Sequence, residues 1–238
     1  PGNRSSTKHP CFARGGKPGR RAIYGARSAV YPLGGAGSTR PGTDFVNHAA
    51  RKMSDTLIAR VAAIPRSLAF VGLMGCGKSH IGRRVAQALG RPFHDSDTEI
   101  EAAAGRSVRE IFAELGEPAF RDGERRVIAR LIEGPPAVIA TGGGAFVDPA
   151  TRAALTAKAV CVWLRADLDL LVLRTAGRTT RPLLLAGDPR QILGDLMEKR
   201  YPLYAEAQVV VDTRNEPSEI TTMRVIAAID AHWQTEDR

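Results

Sequence analysis

The chain predicts an α/β fold, a parallel β-sheet covered by helices on both faces, from three observations. Short apolar runs alternate along the chain with longer helical stretches. Those runs are nearly continuous in apolar residues, as strands buried on both faces are. The first of them leads straight into a glycine-rich loop and then a helix. With 238 residues, 43% of them hydrophobic, the chain is long enough for one globular domain and an appendage.

The appendage comes first. Residues 1–52 are rich in Gly, Arg, Ser and Pro, without a period of 2 or 3.6, and read as a disordered basic leader. They carry ten Lys or Arg and one acid, Asp44, so the whole net charge of +9 lies there and the remainder is neutral. Met53 is the first methionine and reads as the physiological start, which makes the leader a non-native extension. An Arg-rich, acid-poor leader also suits an organelle transit peptide, or a basic arm for nucleic acid. Residues 53–65 are a connecting segment, 66–232 the folded domain and 233–238 a tail.

Within the domain the strands are Ser67–Val71, Arg91–His94, Ala137–Ala140, Ala159–Leu164 and Val209–Val211. The helices are Lys78–Leu89, stopped by Gly90, then Asp97–Ala104, Val108–Leu115, Pro118–Ile132, Pro149–Ala157, Leu168–Ala176, Pro189–Tyr204 and Pro217–His232. Ser107 and Glu110 form a capping box for the third of these. No apolar run approaches the roughly 18 residues needed to span a bilayer. Three cysteines, Cys11, Cys76 and Cys161, have no metal-type spacing and point to a reducing compartment, hence to the cytoplasm.

Residues 72–79 read Gly-Leu-Met-Gly-Cys-Gly-Lys-Ser and match the phosphate-binding pattern G-x-x-x-x-G-K-[ST] at every specified position. Gly72, Gly75 and Gly77 permit a tight turn that aims successive N–H groups at phosphate oxygens. Lys78 supplies positive charge to the β- and γ-phosphates, Ser79 a ligand for Mg²⁺, and the helix N-terminus its dipole. The loop binds a nucleoside triphosphate.

The second strand ends in Asp95-Ser96-Asp97. Two carboxylates at this spacing leave the strand on one side, one for the water shell of the ion and the other for an acceptor hydroxyl; alternatively Asp97 caps the next helix. After the third strand, Gly142-Gly143-Gly144 either presents a row of N–H groups to a ligand or is a flexible turn. Arg121 and Arg200 are single arginines of the kind that usually lie in solvent. Arg178 and Arg181 lie in a small-residue loop with the character of a mobile lid, and Arg174 is placed to stack on an adenine face.

Together these stretches resemble the shikimate kinases over residues 66–232. The likeness rests on the phosphate loop with Ile81-Gly-Arg-Arg84, Asp95-Ser-Asp97 with Glu99-Ile-Glu101, Ile111-Phe112, Gly116-Glu117 with Phe120-Arg121 and Glu124, Gly142-Gly-Gly144, Arg181-Pro-Leu183, and Lys199-Arg200 with Pro202-Leu-Tyr204. The resemblance implies a three-layer P-loop kinase with a five-stranded parallel sheet and a mobile lid. It implies phosphorylation of the 3-hydroxyl of shikimate by ATP. It places Gly75, Cys76, Gly77, Lys78, Ser79 and His80 on the phosphates, Ser79 on magnesium with Asp95 through water, and Arg174 and Arg181 on ATP. Asp97, Arg121, Gly142, Gly143, Gly144 and Arg200 then bind shikimate, with Glu101 nearby; Asp97, Lys78 and Arg181 are catalytic. The expected partners are ATP and shikimate, with no nucleic acid or membrane, and the expected state is a monomer. Two departures stand out. His80 replaces a small hydroxyl residue, and Asp212–Pro217 is one residue shorter than the family's adenine-side segment around Arg214. A gluconate-type sugar kinase or a non-catalytic nucleotide-binding regulator are the competing readings.

Overall fold

Five parallel strands form one sheet in the order β2-β3-β1-β4-β5, in a computed structural model that describes residues 41–176 and 187–236. The elements run α1 (Pro41–Ala62), β1 (Ser67–Val71), α2 (Lys78–Leu89), β2 (Phe93–Asp95), α3 (Ser96–Ala104), α4 (Val108–Glu133), β3 (Val138–Ala140), α5 (Pro149–Lys158), β4 (Ala159–Arg165), α6 (Leu168–Thr175), α7 (Pro189–Tyr204), β5 (Val209–Asp212) and α8 (Ser218–Glu236), with a 3₁₀ turn at Ala145–Val147. The sheet is hydrophobic throughout its centre: β1 is buried at every residue and β4 at all but Arg165, whereas edge strand β5 alternates buried with exposed. That is the burial expected of parallel strands covered by helices on both faces.

The strand order matters because it is not the chain order. Phe70 of β1 is in register with Ala140 of β3, and Ala140 with Asp95 of β2, so the carboxyl ends of β1, β2 and β3 lie side by side. The glycine loop, the paired aspartates and the phosphate loop all leave the sheet at this edge.

Differences from the sequence reading are local. Strand β2 begins at Phe93 rather than Arg91, because the Arg91 N–H is bonded back to the Ala86 carbonyl of α2 and Pro92 has no N–H to give, while the Arg91 guanidinium holds the carbonyls of Ala62, Ile64 and Arg66, at the end of α1 and just after it. Helix α4 is two helical stretches joined at Gly116, whose φ of 78° breaks the helix ahead of Pro118; Ser107 and Glu110 do form the capping box. Helix α1 runs through the 52/53 boundary drawn between leader and connecting segment, and α8 extends past 232 to Glu236. From Leu57 onward α1 joins the core: Val61 is fully buried and Arg60 pairs with Asp230 of α8 at 2.7 Å. Among the described residues no helix is long and apolar enough to cross a membrane.

Candidate active site

A cleft of about 890 Å³ runs along the carboxyl edge of the sheet, lined by the phosphate loop, Asp95, Asp97, Arg121, Glu124, the glycine loop, Arg174 and Arg200. The phosphate loop has positive φ at Gly72 (133°), Gly75 (85°) and Gly77 (103°), the region that side chains disfavour. Gly77 is the N-cap of α2, with no side-chain cap and no acid in the first turn, so the helix N-terminus keeps its N–H groups and dipole for an anion. Lys78, 9% exposed, folds over the loop and donates to the carbonyls of Gly72 (2.8 Å) and Leu73 (3.1 Å). Ser79 Oγ donates to Asp95 Oδ2 at 2.6 Å.

Asp95, not Asp97, caps α3: its Oδ1 accepts from the Asp97 N–H at 3.2 Å. The Asp97 carboxylate therefore has no capping duty and stands open to the cleft. Even so, the protein packed around it disfavours the ionised form, and Asp95 and Glu101 add to this, so its pKa is raised; Lys78 and Arg121 oppose the shift. Glu101 accepts from the Val108 N–H at 2.9 Å and so ties α3 to α4.

The glycine loop is more tightly held than a free row of N–H groups. The Gly142 N–H donates to Ser96 Oγ at 2.8 Å and is not available to a ligand. The Gly143 carbonyl accepts from Arg200 Nη1 at 3.0 Å and from the Tyr204 hydroxyl at 2.5 Å. A β-carbon on Gly144 would collide with the Arg121 guanidinium. Arg121 itself is gripped by Glu124 at 2.6 Å and Glu117 at 3.2 Å. Glu124 is 1% exposed, and its Oε1 has no partner among the described residues. Burial raises its pKa against the lowering effect of Arg121.

At the nucleotide end Arg174 donates to the Cys76 carbonyl (3.3 Å) and the Arg214 carbonyl (2.8 Å), joining the phosphate loop to the segment after β5. His80 faces the same end of the cleft, as do Thr213, Glu216, Ser218 and Thr221. These last four went unseen in the sequence, where nothing separates them from surface residues; Glu124 was visible only within the family-like stretch. Arg178 and Arg181, in the segment read as the lid, lie outside the described residues.

A five-stranded parallel sheet with this loop between β1 and α2, and an acid-and-arginine cleft beside it, defines a P-loop kinase. The family model for shikimate kinase matches residues 74–230. A shikimate kinase of Paramagnetospirillum magneticum is 57% identical over 173 residues, 73% of this chain and 89% of that one. One from Caulobacter vibrioides is 57% identical over 164 residues, 69% of this chain and 82% of its own length. Among solved structures, a shikimate kinase from Acinetobacter baumannii in complex with shikimate superimposes with a TM-score of 0.69 at 34% identity, covering 73% of this chain and 97% of that chain. The chain belongs to the shikimate kinase family.

Proposed function

We propose that the chain transfers the γ-phosphoryl group of ATP to the 3-hydroxyl of shikimate, giving ADP and shikimate 3-phosphate, a step of aromatic amino-acid biosynthesis through chorismate. The observation that carries this reading is the meeting of Asp97, the glycine loop, Arg121 and Arg200 in the cleft that holds the phosphate loop. Two guanidinium groups suit the carboxylate of a small anionic carbocycle, and Asp97 suits its hydroxyls.

In the transfer, the acceptor oxygen forms a bond to the γ-phosphorus as the bond to the bridging β–γ oxygen breaks. Asp97 receives the proton that the hydroxyl loses, and its raised pKa brings it closer to that task. Lys78 exchanges loop carbonyls for phosphate oxygens, and the α2 N-terminus holds the phosphates in line. Arg181 belongs to the same reading as the lid charge. A kinase of this type uses a divalent metal with ATP, and magnesium fits the donors present, the Ser79 hydroxyl and Asp95 carboxylate, both hard oxygens. Ser79 would hold the ion directly and Asp95 through water, and the ion would neutralise phosphate charge.

Residues 66–232 are taken as the catalytic domain. Free, buried Cys76 and Cys161 support a reducing cytoplasm. ADP release measured with shikimate, with gluconate and with neither tests the reading. Release that depends on shikimate is expected; release that ignores shikimate, or follows gluconate, would overturn it.

A further inference from the structure

Two side chains one helical turn apart share a single acceptor in this site. Arg200 and Tyr204 lie at i and i+4 on α7, and both donate to the Gly143 carbonyl, at 3.0 and 2.5 Å. Tyr204 is 0% exposed, with its ring among Phe146, Trp163 and Tyr201 at centroid separations of 6.4, 6.0 and 6.2 Å. A buried phenol has to find a partner for its O–H, and among the described residues that partner is the Gly143 oxygen. Burial also raises the pKa of that phenol, which keeps it a donor at any working pH. Arg200 is different: it is only partly buried and makes no ion pair among the described residues, whereas Arg121 has two.

We propose that Tyr204 is a positioning residue for the substrate: its hydroxyl keeps the Gly143 carbonyl satisfied, so that Arg200 is free to turn its fork onto the substrate carboxylate. Without that hydroxyl, the carbonyl depends on Arg200 alone. Each shikimate bound would then cost the loop its remaining hydrogen bond, or leave the guanidinium held back from the carboxylate. The effect falls on the acceptor half of the site, since the nucleotide half is built from the phosphate loop and Arg174.

The test is Tyr204→Phe, which keeps the ring and removes only the hydroxyl. The expected result is a shikimate KM raised about tenfold, the scale of one buried hydrogen bond, with the KM for ATP unchanged. In an Arg200→Ala background the same substitution should change the shikimate KM by less than about twofold, because no arginine remains to be competed for. Encoding 4-aminophenylalanine at 204, which restores a donor, should recover most of the loss. An unchanged shikimate KM, a parallel rise in the KM for ATP, or an equal effect with and without Arg200 would each overturn the proposal. Arg200→Ala alone supplies a check that does not require the Phe variant to fold. With Tyr204 still holding Gly143, its melting temperature and ATP affinity should match the parent, and a large drop in either would count against the proposal. The inference rests on Arg200 binding the carboxylate. If that assignment fails, Arg200→Ala leaves the shikimate KM unmoved; if only the role of Tyr204 fails, Arg200→Ala is defective and Tyr204→Phe is normal.

Discussion

The Asp97 carboxylate lies against the backbone of Gly142: a β-carbon there would stand 2.9 Å from Asp97 Oδ1 and 2.8 Å from Glu124 Oε1. Gly142 is not among the glycines with positive φ, so the requirement for glycine is one of space. Gly142→Ala is expected to push the base and the buried partner of Arg121 out of place. Shikimate KM should rise by about tenfold or more and kcat should fall, while ATP binding measured by calorimetry stays the same. Unchanged shikimate kinetics would mean that neither carboxylate needs its present position.

Asp97→Asn removes the proton acceptor at nearly constant shape. The expected loss in kcat is roughly 10²-fold or more, with little change in ATP affinity. The same variant makes a stability prediction. The folded-state pKa of Asp97 is raised above its unfolded value, so the native state binds that proton more tightly. Stability from this group is therefore fullest below the ordinary carboxylate range, about pH 4, and falls as pH rises through the folded pKa. At mildly alkaline pH the asparagine variant should melt above the parent, and the gap should close in acid. A gap that widens in acid would contradict the sign.

Glu101 contributes to the raised pKa of Asp97 through its charge. Glu101→Gln keeps an oxygen for the Val108 N–H and removes that charge, so the acid limb of the kcat/KM profile should move to lower pH. A limb that stays put would mean that a group other than Asp97 sets it.

Arg121 and Arg200 should fail differently. Replacing either with Lys loses the planar fork and should weaken shikimate binding by roughly 1.5–3 kcal/mol. Only Arg121→Ala should also lower the melting temperature appreciably, because it strands the buried Glu124 carboxylate, whereas Arg200 leaves no ion partner behind among the described residues. Binding of shikimate and of its carboxamide analogue separates the cases. Equal affinity for both in the parent would show that these arginines do not read a carboxylate.

A chain starting at Met53 should match the full chain in melting temperature and kcat/KM. Removing residues 1–65 should not be tolerated. It takes away Val61 and Ile64, both buried and each worth about 1.5–3 kcal/mol of burial, together with the Arg60–Asp230 pair and the carbonyls of Ala62 and Ile64 that Arg91 holds. A drop of several degrees on removing 1–52 alone would mean that part of that segment packs on the domain.

The phosphate loop, the α2 helix and the Ser107 capping box were legible in the sequence because each is local. Their residues lie within a turn or two of one another, and glycine φ, helix dipole and side-chain reach settle the geometry without help from the rest of the chain. Parallel β-sheet and helical cover could be read for a similar reason, since burial on both faces leaves an apolar run in each central strand. What the tertiary structure decided is which distant residues share a partner. Strand order brings Asp95 beside Ala140, and with it Ser96 to the Gly142 N–H and Asp97 to the glycine loop. Helix packing aims Arg200 and Tyr204 at one carbonyl, that of Gly143. Residue type and spacing cannot state those pairings, because a hydrogen bond between residues about 60 positions apart depends on how whole elements pack.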